Sequence, residues 1–165
     1  MDIDALSPGE TALVDANIFI YHLSNSSAQC SRFLRRVALG EVVGCVTTVI
    51  VAEVLHRRMV AEALTKGLIP AGQPLKKLKA NPSVVTQLTD YVADMENILL
   101  LPLQILTVTP ADIASSHTLR QAPGILVNDS INLACALRHG VSNIVTHDAD
   151  FNRVPLAAVW EPVDV

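Results

Sequence analysis

Four carboxylates lie at the edges of apolar segments, where a charged side chain contributes little to folding. They are Asp15, Glu53, Asp129 and Asp148. Carboxylates that are gathered in one place repel one another and are costly to remove from water. A hard divalent cation such as Mg²⁺ or Mn²⁺ removes both costs, because it prefers oxygen ligands. The pattern therefore predicts a metal site whose bound ion activates water.

Each acid on its own also has an ordinary structural explanation. Asp15 and Asp148 could be turn residues that bond their own backbone. Glu53 could form an exposed ion pair with Arg57, four residues further along a helix. Asp129 could cap a helix. Four such residues in similar contexts are much less expected by chance, and we interpret them as one site.

The elements that must position these acids alternate between strand-like and helix-like segments. Apolar runs predict strands at residues 11–15, 42–46, 104–108, 143–146 and 157–160. Periodicity and end signals predict helices at residues 26–39, 48–65, 84–99 and 130–139, with another that begins at Pro110. This alternation predicts an α/β fold, with a mostly parallel central sheet flanked by helices. Parallel sheets bind ligands at the carboxyl ends of their strands, so we expect the acids to converge there.

Length and composition favour one domain that spans residues 1–165, with its core at about residues 11–160. Residues 66–82 contain three prolines and two glycines, and we interpret them as a loop or insertion that could contain a short helical turn. Half of the residues are hydrophobic and only 17% are charged. Some apolar surface is therefore expected to be covered by a partner or a second copy.

The charge balance constrains the ligands. A net charge of −4 argues against nonspecific phosphate binding by charge alone, and 4% aromatic residues argue against base-stacking platforms. Basic residues nevertheless cluster at positions 35–36, 57–58 and 76–79. These clusters are either solvated faces or contacts for the phosphates that flank a cleaved bond.

Localisation is predicted from the cysteines and the hydropathy. Three cysteines without a C-x-x-C spacing, and no signal peptide, favour the cytoplasm. The longest apolar stretch, residues 98–106, is interrupted by Pro102 and Gln104 and is too short to span a bilayer. We therefore expect no membrane association.

The acids occur in four motifs, in this order along the chain: LVDANIFIY at residues 13–21, TVIVAEVL at 48–55, NDSINLACALRHG at 128–140 and IVTHDADF at 144–151. Together these motifs resemble those of the PIN-domain nucleases, and most of all the VapC-type toxins of toxin–antitoxin modules. The resemblance extends over about residues 11–160. Residues 66–82 depart from it, because they are longer than the usual connection.

The resemblance implies catalytic and metal-ligating roles for Asp15, Glu53, Asp129 and Asp148. It implies accessory roles for Asn17, Thr146 and Asp150. It further implies RNA cleavage that depends on Mg²⁺ or Mn²⁺, a homodimer, and inhibition by a small antitoxin protein.

Other acid-site and nucleotide-site families fit the sequence less well. Aspartyl-phosphate hydrolases require D-x-D after the first strand, and Asn17 occupies the second acidic position here. The chain has no P-loop, no H-E-x-x-H zinc motif and no G-x-S-x-G elbow. The remaining alternative is a non-catalytic PIN-like interaction module whose acids bind arginines of a partner.

Overall fold

A five-stranded parallel sheet forms the centre of the computed structural model, which describes residues 1–165. Its strands are β1 (Thr11–Val14), β2 (Val43–Thr47), β3 (Gln104–Leu106), β4 (Asn143–Val145) and β5 (Ala158–Trp160). Their order is β3-β2-β1-β4-β5, and every neighbouring pair is parallel. The predicted α/β fold with a parallel sheet is confirmed. The central position of β1 places Asp15 in the middle of the carboxyl edge.

Eight α-helices accompany the sheet. They are α1 (Ala16–Leu23), α2 (Ala28–Ala38), α3 (Thr48–Thr65), α4 (Pro74–Ala80), α5 (Pro82–Val85), α6 (Asp90–Leu99), α7 (Pro110–Gln121) and α8 (Val127–Arg138). Two predicted starts are confirmed by side-chain caps, since Thr47 accepts from the Ile50 N–H and Thr109 forms a capping box. Helix α2 begins two residues later than predicted, where Ser27 accepts from the Cys30 N–H. None of the helices combines the length and apolar character that a membrane crossing requires.

The main core contains 30 buried residues from both faces of the sheet. Phe19, Phe33 and Phe151 are its largest fully buried side chains, and each contributes roughly 1.5–3 kcal/mol through burial. Gly44 lets α2 approach the sheet closely, because a Cβ atom there would lie 2.8 Å from a methyl group of Leu103 and 3.0 Å from one of Val37. The three cysteines are buried and form no disulfide.

The interpretation of residues 66–82 as a loop is wrong in part, because the segment contains the seven-residue helix α4. Pro74 suits the first turn of this helix, since proline lacks only an N–H that would have no helical partner there. The helix is held by a second small core of four buried residues, which are Ala63, Ile69, Leu78 and Leu88. The segment is therefore a packed arm rather than an irregular connection.

The single helix predicted at residues 84–99 is also wrong, because α5 ends at Val85 and α6 begins at Asp90. The break is stabilised by Glu62, a buried carboxylate of α3. It accepts hydrogen bonds from the N–H groups of Thr89 (2.9 Å) and Tyr91 (3.0 Å). Burial alone would raise the pKa of Glu62, but the Lys66 ammonium and these N–H groups lower it to about 2.

Two further boundaries differ from the predictions. Helix α1 follows β1 directly, although the apolar run after Asp15 had no predicted state. Helix α8 begins at Val127, three residues earlier than predicted, with Leu126 at its N-cap. Asp129 therefore lies inside the first turn and does not cap the helix.

Candidate active site

The structure brings all four predicted acids to the carboxyl edge of the sheet. Asp15 directly follows β1 and caps α1, and Asp148 follows β4 and caps the 3₁₀ helix Ala149–Arg153. Glu53 lies in the second turn of α3, which starts directly after β2. Asp129 reaches the same edge because α8 leads into β4, so the N-terminus of α8 lies near the strand ends.

The Asp15 carboxylate is fixed by hydrogen bonds to both oxygens. Its Oδ1 accepts from the backbone N–H of Ala16 at 2.7 Å. Its Oδ2 accepts from the side-chain amide of Asn17 at 2.6 Å and from the Thr146 hydroxyl at 2.7 Å. Charge-assisted bonds of this kind are about twice as strong as neutral ones, so they restrict the carboxylate to one orientation.

Asn17 and Thr146 also connect the turn after β1 to the turn after β4. The Asn17 amide donates to the Thr146 hydroxyl at 2.9 Å, and its carbonyl accepts from the His147 N–H at 3.3 Å. The Thr146 hydroxyl accepts from the Asp148 N–H at 3.0 Å. The relative positions of Asp15 and Asp148 are therefore set by these two polar side chains.

The carboxylates influence one another electrostatically. Burial raises the pKa of Asp15 despite its hydrogen bonds, and the charges of Glu53 and Asp148 raise it further. Burial, followed by the charges of Asp15, Asp148, Glu53 and Asp150, raises the pKa of Asp129 to about 6. Ionising Asp15 and Asp129 at neutral pH therefore costs free energy that a bound cation would return.

Glu53 and Asp129 line an open cleft of about 470 Å³, together with Leu126, Val127 and Asn128. Glu53 forms the ion pair with Arg57 that its spacing suggested, at 3.5 Å between Oε1 and Nη1. Both side chains remain partly exposed, at 32% and 44%, so this contact is worth at most about 1 kcal/mol and competes weakly with a metal ion. The cleft is open enough for a polymeric substrate to enter from solvent.

Asp15, Glu53, Asp129 and Asp148, which we call the acidic cluster, supply oxygen ligands that suit a hard divalent cation. All four predicted ligands are carboxylates, and Asn17 and Thr146 already hold Asp15 as outer partners of a metal ligand commonly do. No three His, Cys, Asp or Glu side chains are grouped so that they could hold an ion as they stand. We therefore expect ion binding to draw the acids together, with Glu53 leaving Arg57.

Asp150 contacts a predicted metal ligand through its backbone, whereas Asn17 and Thr146 do so through their side chains. Its N–H donates to Asp148 Oδ1 at 2.9 Å, which stabilises the turn that carries Asp148. Its own carboxylate pairs with Arg153 at 2.9 Å. Asp150 therefore contributes negative potential to the cluster while its charge is partly compensated.

A buried polar pair beneath the cluster was missed in the sequence. The Thr47 hydroxyl donates to Asn132 Oδ1 at 2.6 Å and joins the end of β2 to α8. Asn132 lies three residues after Asp129 and therefore on the same side of α8, within an otherwise apolar run. That spacing was the available signal in the sequence for a buried polar residue. The hydrogen bond between Thr47 and Asn132 sets the position of α8 against the sheet.

Comparisons with known proteins agree with this architecture. A family model described as the PIN domain matches residues 12–156. A search of curated protein sequences finds no significant match.

Three solved structures share the fold. The first is the complex VapBC2 from Rickettsia felis bound to a promoter DNA fragment, with a TM-score of 0.60 and 13% sequence identity. The match covers 92% of this chain and 98% of the matched chain. A toxin–antitoxin complex from Klebsiella pneumoniae has a TM-score of 0.55 at 20% identity, covering 89% and 95% respectively. FitAcB from Neisseria gonorrhoeae has a TM-score of 0.51 at 19% identity, covering 90% and 96%. At these identities the likeness concerns the fold.

Proposed function

Because the chain belongs to the PIN-domain family, we propose that it is a Mg²⁺- or Mn²⁺-dependent endoribonuclease that hydrolyses RNA phosphodiester bonds. The observation that carries the proposal is that acids from four separate motifs lie at one edge of the sheet. A structural role would not require four mutually repelling carboxylates. The open cleft beside Glu53 and Asp129 suits a polymer better than an enclosed small molecule.

The residues divide into metal ligands and positioning groups. Asp15, Glu53, Asp129 and Asp148 would hold the ion. When bound, such an ion supplies a more acidic water and stabilises negative charge on the phosphate. Asn17 and Thr146 keep Asp15 oriented, and Asp150 stabilises the turn of Asp148.

Substitution of the acids tests this assignment. Asp15→Asn and Asp129→Asn should each lower the cleavage rate of a labelled single-stranded RNA in Mg²⁺ by about 100-fold or more, because a ligand charge worth several kcal/mol is lost without a change in volume. Glu96→Gln is a matched control on the exposed side of α6. Full cleavage by either Asp→Asn variant, with native circular dichroism, would exclude the proposed site. It would favour the non-catalytic interaction module.

We further propose that the protein is the cytoplasmic toxin of a type II toxin–antitoxin pair. The similar folds occur in VapBC2 and in a toxin–antitoxin complex, which supports an antitoxin partner. Helix α2 and the start of α3 carry apolar residues next to arginines, and we propose that they receive that partner. A groove of about 310 Å³ between α1, α2 and α6, lined by Leu23, Leu34 and Leu101, suits an apolar helix. An antitoxin arginine would compensate the acidic cluster in place of the ion.

The proposed homodimer has a direct test. Light scattering of the free chain at micromolar concentration should give about twice 17.7 kDa. A mass of one chain would refute the dimer, while the assignment of the acids would stand, since all of them belong to one chain.

A further inference from the structure

The packed arm around α4 has an unusual charge. Residues 67–88, which we call the α4 arm, contain Lys76, Lys77 and Lys79 and no Asp or Glu, in a chain whose net charge is −4. The arm also includes most of the segment in which the sequence departs from the resembling family. Its positive charge is therefore a local property of this chain rather than part of a generally basic surface.

The lysines of the arm lack carboxylate partners, unlike most cations of the protein. Seven other Lys and Arg side chains pair with an Asp or Glu within 4.0 Å: Arg32, Arg36, Arg57, Arg58, Lys66, Arg138 and Arg153. Of the five that do not, three lie on α4. The positive electrostatic potential of the arm is therefore not compensated by neighbouring carboxylates, and it can attract an anion from solution.

A groove lies between α3 and the arm, and one end of it is lined by Arg57, the ion-pair partner of Glu53. Two adjoining cavities of about 370 and 380 Å³ lie between α3 and the arm, and His56 and Leu75 line both of them. Lys79 lines one cavity, and Arg57, the neighbour of Glu53, lines the other. Along α3 the groove extends from Arg57 to Leu64, which is about 10 Å at 1.5 Å per residue.

The arm is held rigidly enough to present its charges in fixed places. Leu78 is buried against Ala63, Ile69 and Leu88. Lys77 is used internally, because its ammonium donates to the carbonyl oxygens of residues 70 and 71 at 3.0 and 2.7 Å. Lys76 and Lys79 remain exposed, and they are the two charges that are free for a ligand.

We propose that the α4 arm binds the phosphate backbone of an RNA segment that flanks the cleaved bond, through Lys76 and Lys79. The inference rests on the proposed function, and it selects one of the three basic clusters of the sequence. In each of the other two clusters one arginine already has an acidic partner, since Arg36 pairs with Glu41 and Arg58 pairs with Asp94. Charge complementarity favours a polyanion, and contacts to phosphates position an RNA without reading its bases.

The experiment measures binding separately from cleavage. Wild type and the double variant Lys76→Gln/Lys79→Gln are titrated in EDTA against a fluorescent single-stranded RNA over a range of salt concentrations. The logarithm of the binding constant falls linearly with the logarithm of the salt concentration, and each phosphate contact contributes about 0.7 to the steepness of this fall. The double variant should therefore show a slope that is shallower by about 1.4. Arg35→Gln is the matched control, because Arg35 is exposed and has no carboxylate partner but lies on α2. Its slope should equal that of the wild type.

The possible outcomes test RNA binding by the arm separately from the nuclease assignment. An unchanged slope in the double variant, or an equal loss in Arg35→Gln, overturns the proposal. A double variant that loses self-association in light scattering but binds RNA normally shows that the arm is a protein interface, which also overturns it. A lower slope in a protein that never cleaves RNA supports the arm and contradicts the nuclease assignment. Thermal unfolding of each variant confirms that the fold is retained.

Discussion

Asp129 should destabilise the metal-free protein at neutral pH. Burial and four neighbouring carboxylates raise its pKa from 3.8 to about 6, so the folded state opposes its ionisation. The unfolded chain has no such cost. Wild-type stability should therefore fall between about pH 4 and pH 6, as Asp129 becomes charged, and remain lower above that range. Asp129→Asn keeps the volume of the side chain but removes the charge.

The size of this effect follows from the pKa shift. A difference of about two units corresponds to roughly 3 kcal/mol, at 1.36 kcal/mol per unit. Because Asp129 is only partly buried, screening by solvent reduces this figure to about 1–2 kcal/mol. Asp129→Asn should thus be more stable than the wild type by about 1–2 kcal/mol at pH 8, and nearly equal to it at pH 4.

Urea unfolding in EDTA at pH 4 and pH 8 measures both differences. Glu96→Gln serves as the control for the loss of one exposed carboxylate. Saturating Mg²⁺ should reverse the order at pH 8, since an ion that binds only the folded state stabilises the wild type more. An Asp129→Asn protein that is less stable than the wild type at pH 8 in EDTA, or a gap that does not change with pH, would refute the reasoning.

Three further substitutions test the supports of the site and the fold. Thr146→Val removes a hydroxyl that donates to Asp15 and should lower metal affinity by about 10–100-fold in a calorimetric titration, whereas Thr146→Ser should retain it. Glu62→Gln should lower the free energy of unfolding by roughly 2–3 kcal/mol, measured by urea unfolding at pH 7, because the hydrogen bonds from the start of α6 to a charged carboxylate are lost. Since the folded pKa is lowered, this difference is complete above pH 4.5 and should disappear as the pH falls through about 2. Gly44→Ala should lower the unfolding free energy by about 1–3 kcal/mol, because the new methyl group would contact Leu103 at 2.8 Å, and an unchanged midpoint would contradict this.

The features that were predictable from the sequence are those with local causes. The starts of α3 and α7 depend on a hydroxyl side chain three residues before the N–H that it accepts from. The parallel sheet follows from apolar runs that alternate with helices. The edge location of Asp15 and Asp148 follows because Asp15 is the first residue after β1 and Asp148 is the third residue after β4.

The features that were missed depend on partners distant in the chain. The break between α5 and α6 requires the Glu62 carboxylate, which lies 27 residues before Thr89. Helix α4 is stable because Leu78 packs against residues of α3 and beyond, whereas its prolines and glycines alone indicate a loop. The Thr47–Asn132 bond spans 85 residues, so the local spacing indicates Asn132 but not its partner Thr47.

The most direct test of the central claim is RNA cleavage after removal and return of the metal. Purified protein is dialysed against EDTA and incubated with end-labelled RNA, and then Mn²⁺ or Mg²⁺ is restored in excess. We expect no cleavage in EDTA, recovery in the wild type on addition of either ion, and no recovery in Asp15→Asn. Equal cleavage with and without the chelator, or recovery in Asp15→Asn, would contradict a metal-dependent site built on these four acids.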